Sequence, residues 1–256
     1  MKKTKLNVGL TILLIVVILA TVGAYHYFFV YKAPDAVSSR KLQETNEAYD
    51  YLMAQSKVGL ASYDYVVLIN PSHGGDDTGA TLVTDEGRLN ESDVALVIAQ
   101  YVRTLNDDSS IGILLTRNTD TNPTFEQRNS FITDLKPDMV IDLHVSEDTH
   151  DSSVMGVRTY YRSDFYRYDL TNEELADIIE RNVALSEGGV ALGLCDIVGM
   201  EDSSEYDFIK DVKVPCVALS CGYISNSLEA EALTDSAYQK SIAQGILNAI
   251  REICYE

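Results

Sequence analysis

The sequence has few of the residues that mark fibrous, low-complexity or disulfide-rich proteins. Its 256 residues include 15 glycines and 5 prolines, which are too few for a collagen-like or low-complexity chain. Its four cysteines form no C-x-x-C pair, which argues against a cysteine zinc site and a thioredoxin-type redox motif. We expect these cysteines, Cys195, Cys216, Cys221 and Cys254, to be buried as small hydrophobic residues.

Positive charge is also scarce. Lysine and arginine total 20 against 39 aspartates and glutamates, so the formal net charge is −19. A surface this acidic repels a phosphate backbone, which argues against nucleic acid as a partner. The hydrophobic content of 46% is too high for a disordered chain, and the length is enough for one globular domain.

The N-terminal segment, residues 1–31, predicts a membrane helix. A short basic start precedes an apolar run from Leu6 to Val30 that contains no acidic or basic residue except His26. About 20 apolar residues suffice to cross a bilayer, and the basic side is expected to stay in the cytoplasm. We therefore expect a single-pass anchor in the cell membrane with the C-terminal domain extracytoplasmic. The alternative is a signal peptide, cleaved near Val22-Gly23-Ala24, and a secreted protein.

The rest of the chain divides into a polar stretch, residues 32–62, which we interpret as a stalk or linker, and a domain at 63–256. In the domain, short apolar runs alternate with segments of helical period. Buried strands are predicted near 65–69, 111–115, 139–143 and 214–219, and helices near 91–105, 124–135 and 242–253. This alternation predicts an α/β fold with a mostly parallel (mixed) sheet flanked by helices on both faces.

Three polar side chains are expected to meet at one edge of this sheet. His73 follows the first predicted strand, His144 follows the third, and Glu91 opens the helix between them. Two imidazoles and one carboxylate form a zinc site that keeps a fourth position open. Each residue alone also has an ordinary explanation: histidines at strand ends are commonly hydrogen bonded, and the helix dipole favours a glutamate at a helix start.

The segments around these residues resemble the zinc-dependent N-acetylmuramoyl-L-alanine amidases, the family called amidase type 3. The resemblance covers about residues 64–252, and the motifs occur in the family's order and spacing. The matching segments are Asn70-Pro71-Ser72-His73-Gly74-Gly75, Asp76, Gly79-Ala80, Glu91-Ser92-Asp93, Thr116-Arg117-Asn118-Thr119-Asp120, Arg128, Asp142-Leu143-His144 and Gly222-Tyr223-Ile224-Ser225-Asn226.

This resemblance implies an enzyme that hydrolyses the amide between N-acetylmuramic acid and L-alanine in peptidoglycan, with Zn²⁺ as its cofactor. It implies that His73, Glu91 and His144 are the metal ligands. Residues 63–256 would then be an amidase-like zinc hydrolase domain whose partner is peptidoglycan. The sequence identifies no protein partner.

One departure from the family concerns the catalytic step. The family's catalytic glutamate lies two residues before Gly222, where this chain has Ser220. Losing a positioned acid–base group costs roughly 10²–10⁴ in rate. Asp142 is predicted to share a strand face with His144, so it is either a substitute for the lost glutamate or a partner that orients His144. Ser220 also leaves open a second function, a catalytically degenerate domain that binds zinc and wall peptide or regulates another amidase.

Overall fold

The computed structural model describes Thr21 and residues 33–84, 87–164, 166–167, 170–200 and 204–255. The chain divides into two compact units, Met1–Glu44 and Thr45–Glu256. The second unit therefore includes much of the range predicted as a stalk. The predicted membrane segment, residues 1–31, lies outside the described residues apart from Thr21. Among the described helices, none is long and apolar enough to cross a membrane.

Helices and strands alternate through the second unit, as the sequence predicts. In chain order the elements are α1 (Ala33–Lys57), a 3₁₀ turn (Leu60–Ser62), β1 (Tyr65–Pro71), β2 (Thr81–Thr84), β3 (Gly87–Asn90), α2 (Glu91–Leu105), β4 (Ile111–Leu115), α3 (Phe125–Leu135), β5 (Met139–Ser146), β6 (Arg158–Tyr161), β7 (Tyr166–Arg167), β8 (Leu170–Thr171), α4 (Asn172–Glu187), β9 (Cys195–Asp196), a second 3₁₀ turn (Ser204–Tyr206), α5 (Asp207–Lys210), β10 (Cys216–Tyr223), α6 (Ser227–Thr234) and α7 (Ser236–Tyr255).

Six strands form the central sheet in the order β4-β1-β5-β10-β6-β9. The four strands β4, β1, β5 and β10 run parallel to one another, and β6 pairs antiparallel with β10. Short antiparallel pairs, β2–β3 and β7–β8, lie outside the sheet. The predicted α/β fold with a mixed sheet is therefore confirmed.

The two faces of the sheet carry separate apolar cores. One core joins the strands to α2, α4 and α7, with residues such as Ile98, Ile179 and Ile246 fully buried. The other core lies under α3 and α5 and includes Phe131 and Ile209. Because apolar side chains cover both faces, the strands read as continuous hydrophobic runs in the sequence.

The central strands extend further than their apolar runs. The hydrophobic run at 139–143 becomes β5, which continues to Ser146, so His144 lies inside the strand and does not follow it. In the same way β10 continues past Leu219 and contains Ser220. Hydrogen bonds to neighbouring strands hold these polar positions in extended conformation, and an apolar pattern cannot reveal that.

Two acidic side chains outside the predicted metal site, Glu229 and Glu187, have raised pKa values because of burial. Glu229 is buried and accepts hydrogen bonds from the backbone N–H groups of Tyr223 and Gly156, at 2.7 Å and 2.9 Å. Both carboxylate oxygens of Glu187, at the end of α4, are buried. Burial raises the pKa of Glu187 to about 8, although the Tyr238 hydroxyl nearby works against this, and the Glu229 carboxylate adds to it. Glu187 therefore destabilises the folded protein at pH values where its carboxyl group is ionised in the unfolded chain.

We predict that Glu187→Gln stabilises the protein at alkaline pH and changes little at acidic pH. Between pH 4.5 and about 8 the unfolded chain releases this proton while the folded chain keeps it, so the wild-type stability falls across that window. The amide has no such dependence, and the gain at pH 8.5 should be on the order of a few kcal/mol. Thermal melting of both proteins at pH 4 and pH 8.5 tests this.

The matched control is Glu231→Gln, which removes the same charge from an exposed position on α6. Its melting temperature should differ little from wild type at both pH values. An equal gain for Glu187→Gln at pH 4 and pH 8.5 would contradict the assignment of a raised pKa.

Candidate metal centre

His73 lies in a tight turn directly after β1. Its backbone φ is 59°, in the left-handed region that residues other than glycine rarely adopt. The turn is closed by paired backbone hydrogen bonds between Gly74 and Asp77, at 2.7 Å and 3.1 Å. The Asp77 carboxylate contacts His73 Nδ1 at 2.9 Å. This contact leaves Nε2 of His73 buried, with no hydrogen-bond partner among the described residues.

Two buried arginines fix the turn that carries His73. Arg117 donates from Nε to the carbonyl of Pro71, at 2.9 Å, and from Nη2 to the carbonyls of Ser72 and Ser92. Arg128 donates from Nη2 to the carbonyl of His73, at 3.0 Å. The motif residues Arg117 and Arg128 therefore hold the backbone of the site.

Glu91 is the first residue of α2 and is buried against the sheet. Its Oε2 accepts a hydrogen bond from the Ala80 N–H at 2.9 Å, and its Oε1 accepts one from the Val145 N–H at 3.2 Å. These two donors come from either side of the carboxylate and fix its orientation. Glu91 Oε2 lies 3.4 Å from His73 Nε2, and Oε1 lies 2.9 Å from His144 Nδ1.

His144 completes the group from β5, where it is almost fully buried. One ligand atom from each of His73, Glu91 and His144 lies within 4.8 Å of the others. The other ring nitrogen of His144, Nε2, contacts Ser72 Oγ at 2.8 Å and Asp142 Oδ2 at 3.1 Å. The three residues predicted as ligands are therefore together, with both imidazoles turned towards the Glu91 carboxylate.

The electrostatics of this group favour a bound positive charge. Burial works against ionised Glu91, but the hydrogen bond with His144 and the imidazole of His73 nearby hold its pKa well below the usual range for glutamate. Burial also lowers the pKa of both imidazoles, yet the neighbouring carboxylates outweigh it and raise the pKa of His73 and of His144 above the ordinary value. A divalent cation would meet the same attraction.

The local shape also fits a metal ion. Gly79 has a φ of 63°, and a Cβ added there would lie 2.5 Å from Glu91 Oε2 and 2.7 Å from His73 Cδ2. Glycine therefore keeps open the space beside the ligand atoms. With the buried, unpartnered Nε2 of His73, this open space makes the residues present a good fit for a divalent cation.

The site opens into a cavity of about 340 Å³ on the α3 side of the sheet. Its lining includes His73, His144 and Asp142, together with the rings of Phe125 and Phe208. A cavity of this volume holds only a small part of a polymer, so a polymeric substrate would present one bond and its neighbouring groups there.

Ser220 lies beside His144 on the adjacent strand but is not part of this cavity lining. The two residues are register partners in the pairing of β10 with β5. Ser220 is fully buried, and its hydroxyl donates to the carbonyl of Gly222 at 3.3 Å. The ring of Tyr206 lies 5.9 Å from the His144 ring and stacks on Tyr160 at 4.0 Å. A buried hydroxyl bonded to its own strand is poorly placed to exchange protons with a group in the cavity.

Sequence reasoning missed two features of the site. It matched Asp76 to the family motif, whereas the carboxylate against His73 belongs to Asp77. It included Ser72 in a matching segment but gave it no role, and the structure places its hydroxyl between Asp142 and His144. The spacing of Asp77 from His73, four residues across two glycines, could have identified the first contact.

Comparisons with known proteins find matches among amidases. A family model described as N-acetylmuramoyl-L-alanine amidase matches residues 67–252. The probable cell wall amidase LytH of Staphylococcus aureus is 26% identical over 185 residues, which is 72% of this chain and 57% of the relative. The LytH of Staphylococcus saprophyticus is 24% identical and 58% covered. The chain thus matches a little over half the length of these relatives.

Solved structures show the same fold. The catalytic domain of CwlV, an N-acetylmuramoyl-L-alanine amidase from Bacillus (Paenibacillus) polymyxa var. colistinus, is 27% identical with a TM-score of 0.64. That match covers 74% of this chain and 98% of the CwlV domain. An N-acetylmuramoyl-L-alanine amidase from Clostridium difficile 630, at 21% identity and a TM-score of 0.65, covers 74% of this chain and 96% of its own.

We predict that Gly79→Ala abolishes high-affinity metal binding, because the new methyl group would occupy the space between Glu91 and His73. Gly188→Ala is the matched control. Gly188 has a similar φ of 67°, but a Cβ added there meets nothing within 4 Å. Both substitutions carry a similar backbone cost of about 1–2 kcal/mol, so only the space at the site distinguishes them. Zinc titration against a chelating indicator measures the difference, and equal affinities for the two variants would contradict this description of the site.

Proposed function

The chain belongs to the N-acetylmuramoyl-L-alanine amidase family, and from this premise we propose that it hydrolyses the amide between N-acetylmuramic acid and L-alanine in peptidoglycan. The observation that carries the proposal is the convergence of His73, Glu91 and His144 at the rim of an open cavity. The matched family segment, residues 67–252, contains all three residues.

We propose Zn²⁺ as the cofactor, held by Nε2 of His73, the carboxylate of Glu91 and Nδ1 of His144. Two nitrogen ligands and one oxygen ligand are a common zinc set in hydrolases. When bound, zinc supplies Lewis-acid polarisation of the scissile carbonyl and of the attacking water. Asp77 contributes by holding Nδ1 of His73, so that the other nitrogen faces the centre of the site.

Proton transfer is the step for which the chain is poorly equipped. Cleavage of an amide needs a base for the water and an acid for the departing nitrogen. Ser220 is buried at the position where the family has its glutamate. Asp142 lines the cavity, but its Oδ1 accepts from Asn70 and Ser72, and its Oδ2 contacts His144. Its role as a substitute base stays a prediction, and we expect slow turnover.

Ser220 favours a second candidate function. A domain that keeps the metal ligands but lacks the family's acid–base group would bind zinc and wall peptide without efficient cleavage, or would regulate another amidase. Both candidates place the domain against peptidoglycan and therefore outside the cytoplasmic membrane. Anchoring by residues 1–31 stays a prediction.

The proposed activity is tested by incubating the zinc-loaded full chain with purified peptidoglycan. Mass spectrometry should find released stem peptides with a free L-alanine amino group, and a chelator should abolish the release. His144→Ala should lose both zinc and activity, because it removes a ligand. His150→Ala, which removes an exposed histidine, is the matched control and should keep both. Absence of released peptide from wild-type protein with zinc bound would reject the enzyme and favour the degenerate domain.

We predict that Ser220→Glu raises turnover by roughly 10²–10⁴, the usual contribution of a positioned acid–base group. The isosteric control is Ser220→Gln, which adds the same bulk without a titratable group. If the glutamine variant gains as much as the glutamate variant, proton transfer is not the missing element. Initial rates of peptide release, with zinc content measured in parallel, separate these results.

A further inference from the structure

We propose that Asp142 is a positioning residue, which orients the ring of His144 through a hydrogen-bond chain that begins at Arg128. The inference rests on the proposed metal site but does not require turnover. It concerns which nitrogen of His144 carries a hydrogen, and therefore which nitrogen offers a lone pair to a metal ion.

The hydrogen-bond chain begins at the guanidinium group of Arg128, which can only donate. Arg128 Nη1 donates to Asn70 Oδ1 at 2.5 Å, and Thr116 Oγ1 lies at 2.5 Å from the same oxygen. A guanidinium has no acceptor, so this contact assigns the oxygen of the Asn70 amide to the Arg128 side. The NH₂ group of Asn70 then necessarily faces Asp142.

Asp142 receives the next hydrogen bonds. Its Oδ1 accepts from Asn70 Nδ2 at 2.5 Å and from Ser72 Oγ at 2.9 Å. Two donors on one oxygen require that this oxygen carries no proton. Because a serine hydroxyl has a single hydrogen, Ser72 uses that hydrogen on Asp142 and can act only as an acceptor towards His144.

Both contacts at Nε2 of His144 are therefore acceptors. Ser72 Oγ lies 2.8 Å from it, and Asp142 Oδ2 lies 3.1 Å from it. Nε2 must therefore carry a hydrogen. Nδ1 lies 2.9 Å from the Glu91 carboxylate and faces the centre of the site, so Nδ1 is the nitrogen that would give up its hydrogen to a metal ion. All the residues in this chain, Asn70, Ser72, Arg128, Asp142 and His144, are buried, so water competes little for these bonds.

The isosteric variant Asp142→Asn gives the sharpest test. The atom between Asn70 and Ser72 must remain an oxygen, because both partners donate to it. The NH₂ group of the new asparagine would then face Nε2 of His144 and donate to it. That donation moves the ring hydrogen of His144 to Nδ1, the nitrogen that faces the metal site. The substitution itself leaves the shape of the side chain at position 142 unchanged.

We expect Asp142→Asn to lower the affinity for Zn²⁺ by roughly 10–100-fold, the usual range for partners that orient a ligand. Side-chain ¹⁵N NMR of histidine-labelled protein provides the second readout. In zinc-free wild type at alkaline pH the hydrogen of His144 should be on Nε2, and in the zinc-free variant at the same pH it should be on Nδ1. Glu147→Gln, which changes an exposed carboxylate just after β5, is the control and should match wild type.

A pair of alanine variants tests the part played by Ser72. Asp142→Ala frees the Ser72 hydroxyl to donate to Nε2, so this variant should also bind zinc weakly. Adding Ser72→Ala removes the competing donor, so the double variant should bind zinc several-fold more tightly than Asp142→Ala alone. If the double variant binds more weakly than the single variant, the chain of donors is wrong.

These outcomes are separable from failure of the proposed function. If wild type binds no zinc, the metal site itself is rejected. If wild type and Asp142→Asn bind zinc equally, or if the ring hydrogen of His144 is on Nε2 in both, only the positioning role is overturned. Equal circular dichroism spectra for the two proteins would confirm that each comparison is made on folded protein.

Discussion

The geometry of the candidate site depends on the contact of one buried carboxylate with two imidazoles. Glu91 lies between His73 and His144, and backbone N–H groups from Ala80 and Val145 hold it there. Those two amides belong to separate segments, the residue before β2 and the strand β5, and each binds a different oxygen of Glu91. The position of the carboxylate therefore depends on the docking of α2 against the sheet, and any shift of the helix would separate the imidazoles from their common partner.

Much of the fold followed from the sequence because burial leaves a strong pattern. Strands covered on both faces read as apolar runs, and β4 at Ile111–Leu115 was predicted to the residue. The ends of β5 and β10 were not, because His144 and Ser220 are polar residues whose extended conformation depends on neighbouring strands. Burial of a polar side chain is a tertiary effect, and local pattern gives little information about it.

The convergence of the three predicted ligands could be predicted from the sequence, and the hydrogen-bond network around them could not. His73, Glu91 and His144 come from separated segments, but strand topology brings such segments to one edge, and the family motifs identified the members. The role of Ser72 depends on distances of 2.8–2.9 Å to two side chains from another strand. Spacing along the chain cannot supply those distances, and it could not show that the Ser220 hydroxyl turns to the carbonyl of Gly222.

The hydrogen bonds that Arg117 and Arg128 donate to the backbone fix the turn of His73 before any metal ion binds. Their guanidinium groups bind the carbonyls of Pro71, Ser72 and His73, so the first imidazole is held in place by contacts independent of any ion. The turn becomes ordered when the polypeptide folds, and it does not need a bound ion for this. We therefore expect the backbone of this turn to keep the same shape whether or not a metal ion is bound.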